Sequence, residues 1–370
     1  NTDIDWMVTT GERHSLENGM ALNTLGDSSE AATSGATNST TFTESIHLLL
    51  EGQLAMSAPC SNKEFLCLSR GDMIGTDCLF SLQSAAVVTA KGKATVLSIT
   101  KPQLQEKIKS DVDFAAHFYR AIALIMSERI RRQFETVQQT ETSQPHTATD
   151  TESNRLLHFQ AGQTVKEALF VFSELHDSDI DWMMRTGSVT SLPAENVLLN
   201  MGRPVDALSI VLDGQLAIAT TEVAYDPFSG CSQKLAALAS AFTPIAFISR
   251  GGLPGIISFL DFKPLPVRIH AVRDSKVLTI SRQAVTIKLQ EDPSFAARFY
   301  RVIATQTAHL LNAVTAVECK AASSGRANSN STSMHTATEI EGEIDIATLQ
   351  KASQGGQKFD WMLKQLRVAV

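Results

Sequence analysis

Every tryptophan in this chain lies in the same tripeptide: Asp5-Trp6-Met7, Asp181-Trp182-Met183 and Asp360-Trp361-Met362. The first two copies extend further. Asp3-Ile4 precedes one and Asp179-Ile180 the other. Thr10-Gly11, Leu16, Leu22 and Gly26 then recur as Thr186-Gly187, Leu192, Leu198 and Gly202 at one constant spacing. More blocks follow in the same order. Glu51-Gly52-Gln53-Leu54-Ala55 matches Asp213-Gly214-Gln215-Leu216-Ala217, and Ser69-Arg70-Gly71 matches Ser249-Arg250-Gly251. Val96-Leu97-Ser98-Ile99 matches Val277-Leu278-Thr279-Ile280. Phe114-Ala115-Ala116-His117-Phe118-Tyr119-Arg120 matches Phe295-Ala296-Ala297-Arg298-Phe299-Tyr300-Arg301. Ordered self-similarity of this kind is internal duplication, so whatever fold the chain adopts it adopts twice.

The spacing shifts between blocks, and the shifts locate surface loops, where extra residues cost little. Repeat 1 carries an insertion at 27–43 and repeat 2 one at 222–243. Polar Ser/Thr/Gln/Asn-rich stretches surround the related runs His146-Thr147-Ala148-Thr149-Asp150 and His335-Thr336-Ala337-Thr338-Glu339 and read as linkers. The organisation expected is a first domain at 1–137, a linker at 138–154 and a second domain with a leading helix at 155–318. A linker at 319–345 and a C-terminal helical segment at 346–370 complete it. Opening on Asn1 and closing just past a third Asp-Trp-Met, the sequence reads as an excerpt of a longer repeat protein or as two repeats with a reduced third.

Within one unit, short apolar runs alternate with glycine-marked turns. Ala207 to Leu212, Asp213-Gly214 and Gln215 to Ala219 read as a hairpin, because a tight turn needs the positive φ that glycine supplies. His47 to Leu50, Glu51-Gly52 and Gln53 to Met56 read the same way. A small antiparallel barrel or roll follows. Each unit then ends in helices. Lys101-Pro102 opens a short one, and Phe114, Phe118, Ile122, Ile125 and Ile130 form the apolar stripe of a longer one. Residues 165–174 also read as helix. The basic run Glu128-Arg129-Ile130-Arg131-Arg132 reads as a solvated helix end rather than a contact for an acidic partner. The tryptophans read as packing residues rather than a recognition patch.

Composition excludes several functions. Lys+Arg number 32 against 39 Asp+Glu, a net charge of −7, which disfavours nucleic acid as a partner. No apolar run approaches the ~18 residues of a membrane span. The 5 cysteines are odd in number and form no C-x-x-C pair, which suits reduced thiols. The histidines show no metal-ligand spacing. No nucleophile–base pair and no Gly-rich nucleotide loop is present, so no enzyme is expected. The acid pairs Asp111/Asp113 and Glu291/Asp292 read as helix–helix turns.

These elements, taken in order, resemble the cyclic nucleotide-binding domain. The resemblance is carried by Gly11/Gly187, the run Ile210-Val211-Leu212-Asp213-Gly214-Gln215-Leu216, the Gly251 turn, the apolar stretch to Leu260, Ala271-Val272, Val277 to Ser281 and Asp292-Pro293. It covers nearly all of both repeats, and the Asp-Ile-Asp-Trp-Met variant looks most like cyanobacterial and plastid members. It implies an α+β, mostly β fold: two antiparallel β-rolls of jelly-roll type, each flanked by helices, plus a short C-terminal helix.

It also implies where a ligand would sit. In the family, a Gly-Glu pair opens a short helix whose backbone N–H groups face the cyclic phosphate, and a Pro-Arg pair follows. Here the pattern falls on Gly75-Thr76 and Gln83-Ser84 in repeat 1, and on Gly255-Ile256 and Pro264-Leu265 in repeat 2. Neither repeat keeps the Glu or the Arg. A hydrogen bond to a charged group contributes about 1.5–3 kcal/mol, so losing two costs roughly two to four decades of affinity. Asp77 would further repel an anion, and Arg268, three residues past Leu265, reads as a solvated side chain on the opposite strand face. No cofactor, metal or cyclic nucleotide is therefore expected.

The reading is a non-catalytic scaffold binding other proteins of a larger complex, with the resemblance pointing to a plastid light-harvesting assembly such as the phycobilisome. It places the chain in a soluble, reducing compartment, either stroma- or thylakoid-associated or cytoplasmic. The alternative is a regulatory subunit sensing a cyclic nucleotide or another small molecule in an altered pocket. A transcription factor fits worse, since a Ser/Asn-rich linker stands where a helix-turn-helix would follow.

Overall fold

A computed structural model describes residues 2–23, 40–41, 44–57, 64–80, 82, 86–141, 172–221, 242–324 and 346–368. Nearly all of the insertion at 222–243, most of the one at 27–43, and residues 165–171 of the segment at 165–174 lie outside the described residues. Phe172 to Glu174 are helical.

Repeat 1 begins with α1 (Thr2–Thr10), followed by β1 (Glu12–Leu16), β2 (Ala21–Asn23), β3 (Thr40–Thr41), β4 (Ser45–Glu51) and β5 (Leu54–Ser57). β6 (Glu64–Leu68), β7 (Met73–Ile74), a 3-10 turn at Thr76–Phe80, β8 (Val87–Ala90) and β9 (Ala94–Thr100) complete the strands. Helices α2 (Lys101–Ser110) and α3 (Val112–Glu141) close the unit. One sheet runs β1-β9-β4-β7 and the other β3-β2-β8-β5-β6, antiparallel except for the two-residue β2/β3 pair. Alternation turns Leu16, Leu22, Leu49, Leu54, Leu68, Val88 and Val96 inward as one buried cluster between them.

Repeat 2 repeats the plan with α4 (Asp177–Thr186), β10 (Ser188–Leu192), β11 (Val197–Leu199), β12 (Ala207–Thr221), β13 (Phe242–Ile248), α5 (Ile256–Asp261), β14 (Arg268–Ser281), α6 (Arg282–Glu291) and α7 (Pro293–Ser324). Its sheet runs β10-β14-β12-β13, with β11 also on β14. The fold is mixed, with antiparallel rolls and flanking helices.

The expected hairpins at Asp213-Gly214 and Glu51-Gly52 do not form. β12 is one strand of 15 residues, paired along its length with the 14-residue β14. The register shifts at Asp213 and Gln215, where the strand bends. In repeat 1 the corner separates β4, which pairs with β9, from β5, which pairs with β8. The glycine is needed for a corner that carries one strand from sheet to sheet.

The two units open their long helices identically. Asp111 Oδ1 accepts from the Phe114 N–H at 2.9 Å, and Asp292 Oδ1 from the Phe295 N–H at 2.9 Å. Lys107 and Lys288 hold these carboxylates at 2.7 and 2.9 Å. Trp6 stands edge-on to Phe114 with centroids 5.0 Å apart, and Trp182 to Phe295 at 5.5 Å, pinning α1 and α4 to the long helices.

The two units pack directly on each other. α3 and α7 pack on each other, placing Ile122, Met126, Ile130, Ile303 and Leu311 in one continuous core. Arg120 lies 5.9 Å from the Tyr300 ring and Arg301 5.9 Å from the Tyr119 ring, a reciprocal exchange. Gln133 Nε2 donates to Thr315 Oγ1 at 3.0 Å in the buried interface. α3 runs to Glu141 and α7 to Ser324, past the expected domain ends at 137 and 318.

α8 (Ile346–Gln365) carries the third Asp-Trp-Met but packs differently. Phe359 meets Phe172 at 4.8 Å, and Lys358 Nζ donates to the Leu175 carbonyl at 2.6 Å. Lys358 occupies the register of Asp3 and Asp179, which bind His117 at 2.9 Å and Arg298 at 2.8 Å. Trp361 is left 38% exposed.

One buried group makes stability depend on pH. His47 on β4 is fully buried, with Nδ1 2.7 Å from Ser98 Oγ. Burial first, and the charge of His14 second, push its pKa down from 6.5 to about 4. The folded state therefore refuses a proton that the unfolded chain accepts below about 6.5. Its stability is intact above that pH and is lost as pH falls toward 4, by roughly 3 kcal/mol. Urea midpoints measured from about pH 7 to pH 4 should fall more steeply for the native chain than for His47→Asn. Parallel curves would remove His47 as the cause.

Candidate functional site

The segments singled out in the sequence are the turn after β7 and the region around α5. In repeat 1, Gly75 has φ 78° and is buried. A Cβ there would lie 2.4 Å from the Ser45 carbonyl, so the chain must pass as glycine. Thr76 follows, also buried, and the Cys78 N–H closes the turn on the Gly75 carbonyl at 3.2 Å. Burial raises the Cys78 thiol to about 11, so it stays protonated. Ser84 lies outside the described residues.

In repeat 2, Gly255 takes φ 75° at the start of α5. A Cβ there would meet Leu199 Cδ1 at 2.5 Å and Val205 at 3.4 Å. Apolar side chains thus fill the space before the helix. Ile256 is 4% exposed and Leu265 2% exposed, both part of the continuous core. Leu265 lies outside any strand, joined to the Gly202–Arg203 turn through its backbone at 2.8 and 3.0 Å. Strand alternation therefore does not relate it to Arg268, which opens β14.

The polar partner of α5 comes from the other repeat. Arg131 of α3 donates from Nε to Asp261 Oδ2 at 2.7 Å and from Nη2 to Asp261 Oδ1 at 2.9 Å. The same guanidinium reaches Ser258 Oγ at 2.8 Å and the Pro264 carbonyl at 2.6 Å. Both charged side chains are under 10% exposed. Lys263 and Glu128 add an exposed pair beside them. On the other side, Arg282 donates to the carbonyls of Phe259 and Val205, with its guanidinium 4.6 Å from the Phe259 ring and 4.1 Å from that of Phe262.

The basic run in α3 is therefore not a solvated helix end. Arg129 is buried and donates to the Met73 carbonyl, and Arg132 pairs with Asp72 at 2.7 Å. Each arginine of the run is spent inside the molecule. Its helical spacing is the signal that could have revealed this: Arg129 and Arg132 point to repeat 1, Arg131 to repeat 2.

Among the described residues no group of three or more His, Cys, Asp or Glu side chains is placed to hold a metal ion. No described helix is long and apolar enough to cross a membrane.

No protein-family model matches the chain, and no curated protein matches it. Solved structures do. The regulatory domain of Toxoplasma gondii PKA with cAMP aligns over 79% of this chain and 87% of its own, at 11% identity and a TM-score of 0.26. A cyclic nucleotide-binding domain from Methylobacillus flagellatus aligns over 44% of this chain and 86% of its own, at 17% identity and a TM-score of 0.34. The regulatory subunit of a cAMP-independent protein kinase A from Trypanosoma brucei aligns over 80% and 86%, at 10% identity and a TM-score of 0.25. Likeness at this level brings no ligand or partner to this chain.

Proposed function

We propose that the chain is a non-catalytic binding module whose two cyclic nucleotide-binding-like units no longer take a nucleotide and work by holding other proteins. One observation carries the reading: the position where such a cassette would need its phosphate-binding arginine is Leu265, 2% exposed, with Ile256 buried beside the start of α5. An anion placed there would face aliphatic carbon. The polar end of the same helix is already engaged by Arg131. The light-harvesting assembly implied by the sequence resemblance is one setting for such a module, to be sought by cross-linking in a native lysate.

Calorimetric titration with cAMP and cGMP to millimolar ligand is the test. The expected result is no heat and no rise in melting temperature. A ligand present at a hundred times its Kd would add about 2.7 kcal/mol of stability, which is easily seen. Micromolar binding would replace this reading with that of a sensing regulatory subunit.

A further inference from the structure

The two rolls differ at one corner. In repeat 2, Asp213 at the bend of β12 accepts from Arg250 Nε at 3.0 Å and from Nη2 at 2.5 Å, and Leu212 beside it is fully buried. Repeat 1 has Glu51 and Arg70 at the matching positions, and Arg13 where repeat 2 has Val189. Here the corner is open. A cleft of about 610 Å³ is lined by Arg13, Arg70, Glu51, Leu48, Leu50 and Thr95. Leu50, the counterpart of Leu212, is partly exposed, and both arginines are exposed. Neither Arg13 nor Arg70 makes an ion pair among the described residues.

Two guanidiniums beside leucines suit a segment that carries carboxylates and aliphatic side chains together. The sequence holds one such stretch: Glu339-Ile340-Glu341-Gly342-Glu343-Ile344-Asp345. Four of its residues are acidic and none is basic. We propose that the repeat 1 cleft binds residues 339–345 of a second copy of this chain. Within one chain that stretch leads straight into α8, which Lys358 and Phe359 fasten to repeat 2. The cleft belongs to repeat 1. A cleft on one copy and a segment on the next make a head-to-tail contact, which extends into chains unless the rotation closes a ring. None of the cassette positions lines the cleft, so the inference stands or falls independently of the proposed function.

The experiment has two parts, both on the full chain. A fluorescently labelled synthetic peptide of residues 337–347 is titrated in anisotropy. Binding is expected, weakened about tenfold or more by Arg70→Glu and by raised salt, and lost when glutamine and asparagine replace the peptide's acids. Light scattering should show a mass that rises with concentration for the native chain and stays monomeric for Arg70→Glu. Arg70 is exposed, so its replacement leaves the fold intact, checked by the melting temperature. Equal peptide affinity in the two proteins overturns the site. Displacement of the peptide by inorganic phosphate at a similar concentration makes the cleft a small-anion site and overturns the segment. A native chain that stays monomeric while the peptide binds overturns the second copy as donor.

Discussion

Replacing Arg131 with alanine should lower the stability of the chain by about 3–5 kcal/mol, more than almost any other single polar substitution. The reason is what it leaves behind. Asp261 is 8% exposed and takes both guanidinium hydrogen bonds, so its carboxylate would stay buried without compensation. Ser258 and the Pro264 carbonyl would lose their partner as well. Urea unfolding of Arg131→Ala measures the loss. The double variant Arg131→Leu with Asp261→Leu should recover much of it, because removing both charges removes the desolvation cost of each. A loss below about 1 kcal/mol in the single variant would mean that the pair is solvated and that the repeats are held by α3 and α7 alone.

Gly214→Ala should cost roughly 3 kcal/mol or more, although it adds one methyl group. The backbone there has φ 93°, where an L-residue is strained by about 1–2 kcal/mol. The new Cβ would also lie 2.6 Å from Ser275 Cα, in the paired strand β14. Gly92→Ala separates the two causes. It has φ 83° and nothing within 4 Å of a built Cβ, so it should cost only the conformational part. Thermal or urea unfolding of both compares them directly. Equal losses would show that β12 does not pass so close to β14 and that the corner is looser than described.

Much of this architecture could be read from the residues. The repeated blocks predicted two rolls flanked by helices, and Phe114 to Ile130 predicted the stripe that α3 buries. The hairpin at Asp213-Gly214 was misread because a dipeptide signal is local. β14, about sixty residues further on, pairs with both sides of the corner and overrides it. The Arg131 contact was out of reach for a similar reason. Its partner Asp261 is remote in sequence, and only the packing of α3 against α7 brings them together. Of the cassette positions, Gly75 and Gly255 were read only as the glycines on which the family pattern falls, and their left-handed backbone is a finding of the structure. The burial of Ile256 and Leu265 was visible only as apolar character.

The exchanged contacts Arg120–Tyr300 and Arg301–Tyr119 have the form of a dimer seam, yet they lie within one polypeptide. In a true dimer such a seam dissolves on dilution, because each half must find the other. Here the tether fixes the effective concentration, so the pairing survives at any abundance of the protein. Tethering also frees each half from symmetry. A substitution on one side is no longer copied on the other, and so a single Arg131 can reach across while Asn312, its counterpart on α7, need not.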